Sequence, residues 1–325
     1  MSEPVVIKVL QRNCRHFDAK AFEYEPGYVF TTDPKCREYD WVVVYDEMPE
    51  PETLACPRGH TILATWEPVS IKAYSRAYTR QFAYLLTNRP MSAEKHPGYR
   101  LGRGYFYWFV DRTWNEAFET VIPPKTKELS IVCSSKKMKN TCHYDRYVLC
   151  ERLSHLQGCD WYGHGVKGFG KKYEVLDPYR YHIAIENHIA EHHWTEKIAD
   201  ALLCECLPFY AGDPGLAEVL PADSFIPIPL DDHEEAERIV RKAVAAGEYE
   251  KRLPAIREAK RLLLTRYNFW AQVLDIVRSA PPTVGGSAFT LLPRKTIRAR
   301  SPSAMFDEGW FHLKRILGAV VTTWR

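Results

Sequence analysis

Nearly unbroken apolar runs, rich in β-branched and aromatic residues, recur along the first part of the chain at Val5–Leu10, Trp41–Asp46, Thr61–Trp66 and Tyr84–Thr87. Runs this short and this apolar predict buried sheet strands. Between them lie polar stretches such as Glu47–Thr53, rich in Pro and Glu, that read as loops. Val121–Lys127, with Pro123 and Pro124, reads as an interdomain linker.

Beyond that linker the pattern becomes an alternation. Leu129–Cys133 predicts a strand, and Tyr144–Leu156 a helix with Tyr147, Cys150 and Leu153 on one side. Tyr181–Ile185, Leu207–Tyr210 and Phe225–Ile228 predict further strands, with helices over Thr195–Glu205 and Asp231–Ala246. Strand and helix in turn predict a doubly wound α/β sheet. From Tyr249 to Ser279 a helical period runs through Leu262, Leu263, Tyr267, Trp270, Val273 and Ile276, interrupted early by Pro254, so one kinked helix or two is expected. No internal repeat is visible.

At 325 residues the chain exceeds a single core, which favours two domains. With 46% hydrophobic and 26% charged residues it reads as an ordinary globular protein. The nine cysteines form no C-x-x-C pattern and read as reduced thiols. Neither a secretory leader nor a run of about 18 apolar residues is present, so a cytoplasmic location is expected. The net charge of +3 is unevenly spread: Thr290–Arg325 holds seven basic and two acidic residues, leaving residues 1–289 at −2. A nucleic-acid footprint over the body is therefore not expected.

The most informative stretch is Tyr179-Arg-Tyr-His-Ile-Ala-Ile-Glu186-Asn187, followed by Thr195-Glu196-Lys197 at a helix start, then Leu207-Pro208-Phe209-Tyr210 and Leu220-Pro-Ala-Asp-Ser-Phe-Ile226. A helix N-terminus offers free N–H groups and partial positive charge to a diphosphate, and Lys197 adds a cation in the same turn. On its own, Thr-Glu-Lys at a helix start is ordinary capping chemistry.

In order and spacing these segments resemble the donor site of the α-1,3-fucosyltransferases, glycosyltransferase family 10. The resemblance implies a GT-B arrangement: two Rossmann-like domains facing across a cleft, with residues 1–124 on the acceptor side, 125–285 on the nucleotide-sugar side and a basic amphipathic tail over 286–325. It gives Lys197 the departing diphosphate, Glu196 the ribose hydroxyls, and Glu186 and Asn187 the sugar end of the donor. Arg146, in a helix resembling the family's, is implied as a second diphosphate ligand, although a helical Arg is most often a solvated charge. His193 stands where the family has a Tyr of the nucleotide pocket, and His188 replaces a small hydroxyl residue, so GDP-fucose as donor rests on the family. Thr65-Trp66-Glu67-Pro68 resembles the family's Glu-Ser-Pro turn without its Ser, which makes Glu67 the implied general base for the acceptor hydroxyl. Glu94 and Glu119 lack such a motif. No metal or cofactor is implied beyond the donor substrate.

Two other readings compete. His188-Ile-Ala-Glu191-His192 fits the H-x-x-E-H zinc-hydrolase motif, which requires one helix through both histidines. Gly163-His-Gly165-Val-Lys-Gly168 spells a dinucleotide fingerprint but precedes no helical period, and reads as a glycine loop over the donor site. A non-catalytic carbohydrate-binding protein would carry the same compatible residues. In the tail, Phe306, Trp310, Leu313, Leu317 and Val320 share one helical face while Lys314 and Arg315 lie off it. Such a stripe suits either peripheral contact with the inner face of a membrane or docking onto the N-terminal lobe.

Overall fold

The computed structural model describes residues 3–12, 22–68, 71–90, 95–104, 110–138, 141–283 and 288–316. The described residues form two compact units, one from those up to Gly102 together with 269–316, the other from those within Arg103–Asn268. The resemblance implies boundaries at 124 and 285; the compact units divide at 102/103 and 268/269. The tail packs with the first unit.

In the first unit the strands are β1 (Val5–Gln11), β2 (Phe22–Glu25), β3 (Tyr28–Thr31), β4 (Trp41–Tyr45), β5 (Glu52–Thr53), β6 (Thr61–Thr65), β7 (Tyr84–Thr87) and β8 (Tyr99–Leu101), with the short helix α1 (Arg76–Thr79) before β7. Seven of them make one sheet in the order β2-β3-β1-β4-β6-β7-β8, parallel throughout except where β2 returns against β3. The central register sets Val43 against both Val9 and Ile62. Val42, Val43 and Val44 are fully buried, because a parallel strand is covered on both faces. Each such side chain contributes about 1.5–3 kcal/mol.

The second unit contains α2 (Trp114–Glu119), β9 (Lys127–Val132), α3 (His143–Ser154), β10 (Cys159–Tyr162), β11 (Tyr179–Ile185), α4 (Glu196–Leu203), β12 (Leu207–Ala211), β13 (Ile226–Pro227), α5 (His233–Ala245) and α6 (Glu248–Thr265). Its five strands are all parallel, in the order β10-β9-β11-β12-β13. α4 is held beneath the sheet by Ile198, Ala199, Leu202 and Leu203, all buried.

The long apolar period after Tyr249 resolves into two helices, and the break is not at Pro254, which sits inside α6. It falls at Asn268, whose side-chain amide donates to the Leu263 and Leu264 carbonyls at 3.0 Å each and so satisfies the end of α6. The next helix, α7 (Phe269–Ser279), belongs to the first unit: Trp270 packs on Phe30 with ring centroids 4.8 Å apart, and Phe269 on Tyr45 at 5.5 Å. There β14 (Thr290–Leu291) pairs antiparallel with β5, and α8 (Arg294–Arg300) and α9 (Pro302–Ile316) follow.

The tail docks by charge. Arg294 reaches Glu47 and Glu308, the latter at 2.8 Å, and Glu308 is buried. Burial alone would raise the Glu47 carboxyl, but Arg294 and Lys72 hold it down at about 2. A depressed carboxylate stabilises the fold above its unfolded value, and that contribution is lost as pH falls from about 4.5 toward 2. Glu47→Gln is expected to destabilise the first unit by about 3 kcal/mol at neutral pH, read as a lower urea midpoint that no longer shifts over that acid range. On the other side of α9, Phe306, Trp310 and Leu313 are exposed, and the Phe306 and Trp310 rings lie nearly parallel, 4° apart. Leu317 and Val320 lie outside the described residues. No helix among the described residues is long and apolar enough to cross a membrane.

Candidate functional site

At the carboxyl ends of β9 and β11, where ligands of doubly wound sheets bind, the second unit gathers most of the predicted residues. β11 ends at Ile185, so Glu186 is fully buried at the strand's exit. Its carboxylate accepts the Thr195 amide at 2.8 Å and the Thr195 hydroxyl at 2.8 and 3.0 Å. Thr195 is the N-cap of α4, its hydroxyl accepting the Lys197 amide at 3.4 Å. The Lys197 ammonium then closes the cluster, 3.0 Å from Glu196, 3.1 Å from the Thr195 hydroxyl and 3.4 Å from Glu186. Burial tends to neutralise Lys197, but Glu196 and Glu186 more than offset it and its pKa is raised. Glu196 is ionised as well: burial works against its charge, yet Lys197 and Lys172 hold its carboxyl at about 2. Burial raises the Glu186 carboxyl, with Lys197 and Thr195 pulling it down.

Arg146 comes from the first turn of α3, forty-one positions before Asn187 in sequence, yet the two meet: its guanidinium donates to the Asn187 side-chain carbonyl. Its Nε donates to the Cys133 sulfur at 3.1 Å. Hydrogen bonding from Cys150 and the charge of Arg146 push the Cys133 thiol down against burial, while Cys150 is pushed up. Cys133, Arg146, Lys172, His182 and Lys197 line one small cavity. Lys172 is tied to the buried Asp200, and His182, hydrogen-bonded to Ser130 at 2.8 Å, is kept neutral by burial, which lowers it to about 3.

His193 is buried beside His188, ring centroids 5.4 Å apart. The stretch from His188 to His192 is bends and a turn, with His192 at φ 63°, so no helix presents both histidines of the zinc motif on one face. Among the described residues no group of three or more His, Cys, Asp or Glu is placed to hold a metal. Gly163 and Gly165 shape a turn rather than opening a helix; a Cβ on Gly163 would lie 2.3 Å from the Cys133 carbonyl.

Sequence reasoning passed over a second cavity in this unit, about 340 Å³, lined mainly by Ile189, Ala217, Phe225, Pro227 and Ile228 with Asp213 as its acid. Asp213 is buried; its Oδ1 accepts the Gly215 amide at 2.9 Å, and among the described residues its Oδ2 has no partner within hydrogen-bond geometry. Burial pushes its carboxyl up. Only the rule that sites gather beyond the ends of parallel strands points there, since Asp213 follows β12. Gly212 joins this cavity to Glu186: a Cβ there would sit 2.1 Å from the Tyr210 hydroxyl and 2.7 Å from Glu186 Cγ. Gly212→Ala is expected to cost about 1–3 kcal/mol, read in the urea midpoint, because two buried side chains must move.

Glu67 lies in the first unit, two residues past the end of β6. The loop around it is fixed by its backbone: Arg89 donates to the Glu67 carbonyl at 3.2 and 2.5 Å, and the Trp66 amide to Asp46 at 2.9 Å. Glu94 lies outside the described residues.

Residues 122–246 match the family model described as glycosyltransferase family 10 (fucosyltransferase) C-term. The second unit carries a glycosyltransferase family 10 domain. The chain is a glycosyltransferase of the GT-B type, an α/β protein with two Rossmann-like units. No curated protein matches its sequence. A crystal structure of an alpha1,3-fucosyltransferase with GDP-fucose shares its fold over 92% of this chain and 90% of that one, with 16% identity and a TM-score of 0.50. An alpha1,3-fucosyltransferase with GDP matches over 96% and 90% at 15% identity and a TM-score of 0.47. A sucrose-phosphate synthase from Thermosynechococcus elongatus matches over 84% and 87% at 9% identity and 0.41. In this glycosyltransferase the matched residues include Arg146, the Glu186–Lys197 cluster and the Asp213 cavity.

Proposed function

We propose that this glycosyltransferase moves fucose, or a closely related sugar, from GDP-fucose to a glycan acceptor such as a cell-surface polysaccharide or a lipid-linked saccharide, with inversion at the anomeric carbon. One observation carries the reading: Lys197, held by Thr195 and Glu186 at the first turn of α4, lines the same small cavity as Arg146.

Leaving of GDP builds negative charge on the diphosphate oxygens. An ammonium and a guanidinium already fixed there stabilise that charge without reorganising. Arg146 can present two N–H groups to the phosphates, with Asn187 setting its plane. Glu196, ionised and next to Lys197, suits the ribose hydroxyls. Glu186 has its oxygens occupied by Thr195 and Lys197, and acts on the donor through them. The apolar cavity past Gly212 suits the methyl-bearing face of a 6-deoxy sugar, with Asp213 accepting from a hydroxyl; His193 borders the nucleotide. Glu67 takes the acceptor proton as the new bond forms. No cofactor enters the scheme beyond the donor.

Calorimetry with GDP, UDP and ADP tests the donor half. GDP is expected to bind at least about tenfold more tightly, a difference of about 1.4 kcal/mol. Tighter binding of UDP, or no GDP release from GDP-fucose with any glycan supplied, would sink the reading. The exposed Phe306, Trp310 and Leu313 on α9 favour an acceptor held at a lipid surface. Co-sedimentation with anionic vesicles, lost in a Trp310→Ser variant, is the expected result for that part.

A further inference from the structure

The first unit holds a cavity of about 380 Å³ at the carboxyl ends of β6 and β7, lined by Thr65 and Thr87, the cations Arg76, Arg89 and Lys95, and one acid, Asp307. The other buried or half-buried cations described in this unit face carboxylates: Lys8 pairs with Glu52, Lys72 with Glu47, Arg294 with Glu47 and Glu308, and Arg298 with Glu308. Arg76, Arg89 and Lys95 differ. Among the described residues none of the three has a carboxylate within 4.0 Å.

Arg89 is the informative member. It is half-buried against the Tyr74 ring, 4.9 Å from its centroid, and among the described residues its guanidinium donates only to backbone carbonyls, those of Glu67 and Lys72. Burial works against its charge, with Tyr74, Asp46 and Glu67 acting in its favour from further off. Carbonyls satisfy N–H groups but leave the positive charge largely uncompensated, and a desolvated charge without a counter-ion is costly. Two exposed cations at the rim, Arg76 and Lys95, leave the lining, among the described residues, with a surplus of two positive charges over Asp307. The Glu67 carbonyl that Arg89 grips belongs to the implied general base, so the cavity lies beside the point of proton removal.

We infer that this cavity binds the anionic group of an acidic acceptor, a carboxylate or phosphate carried on a sugar near the hydroxyl that receives the transferred residue. This rests on reading the first unit as the acceptor side. It names a class of acceptor, uronic-acid-containing or phosphorylated glycans, that the donor site cannot specify. Arg89 supplies the fixed charge at the base of the cavity, while Arg76 and Lys95 strengthen it from the rim.

Calorimetry on the full chain at low ionic strength, with methyl β-D-glucoside, methyl β-D-glucuronide, glucose 6-phosphate and inorganic phosphate, tests this. The glucuronide or the sugar phosphate is expected to bind at least about tenfold more tightly than the neutral glucoside, with the advantage shrinking as salt is added. An Arg76→Gln/Lys95→Gln double variant, altering two exposed side chains, is expected to lose most of that advantage while leaving the glucoside unchanged. Equal affinities for charged and neutral glycosides would overturn the inference, as would an advantage untouched by the double variant. Inorganic phosphate binding as tightly as glucose 6-phosphate would also overturn it, because the sugar would then contribute nothing. GDP titrated into the same samples reads the donor site separately: failure there counts against the fucosyl-donor reading and leaves the charge comparison standing.

Discussion

Replacing Lys197 with alanine is expected to lower kcat/KM for sugar transfer by about 10²–10³-fold, the usual effect of removing one preorganised donor from the site of developing charge. The same substitution has a second consequence, because Lys197 is also the counter-ion of the fully buried Glu186, 3.4 Å away. Left alone, that carboxylate is an uncompensated buried charge, and the second unit should lose about 3–5 kcal/mol of stability. The two effects can be separated with Lys197→Ala/Glu186→Gln. Neutralising Glu186 should recover much of the urea midpoint without recovering the rate. If the rate returned with the stability, Lys197 would be a structural residue, and the proposed role in diphosphate departure would be lost.

Glu67→Gln is expected to reduce kcat by about 10²–10⁴-fold while leaving GDP binding unchanged. The expectation is sharp because the loop is anchored through backbone groups: Arg89 binds the Glu67 carbonyl oxygen, not its carboxylate, and Pro68 accepts from the Ile71 and Lys72 amides at 3.0 and 3.1 Å. A glutamine of the same shape should keep these backbone contacts and remove the base. Initial rates against acceptor concentration, with GDP titrated separately, give the answer. Transfer at close to the wild-type rate would remove Glu67 from the mechanism.

The parallel strands were legible because a strand covered on both faces must be apolar along its length, as Trp41–Tyr45 and Thr61–Thr65 are. The cluster from Glu186 to Lys197 was legible for a different reason: strand end, loop and helix cap are adjacent in sequence, so spacing alone brings them together. Long-range contacts left no such trace. Nothing in the local pattern pairs Cys133 with Arg146 or Lys172 with Asp200, and an isolated Asp-Pro after a strand does not announce a buried acid with an unbonded oxygen. Unit boundaries were hidden likewise, since the helical period after Tyr249 runs on through Asn268 while the chain passes from one unit to the other. In the tail, periodicity identified the apolar stripe, but the docking side is set by Glu308, an acid buried against two arginines.

That passage back to the first unit bears on how the protein is made. Residues 103–268 are contiguous and can complete their packing as soon as they leave the ribosome, whereas the sheet that begins at Val5 waits for Phe269, Trp270 and Leu291 to close over it. For most of its synthesis the earlier half is the unfinished one, with its apolar strands open to wrong partners, and a chain cut short before Phe269 would release it in that state.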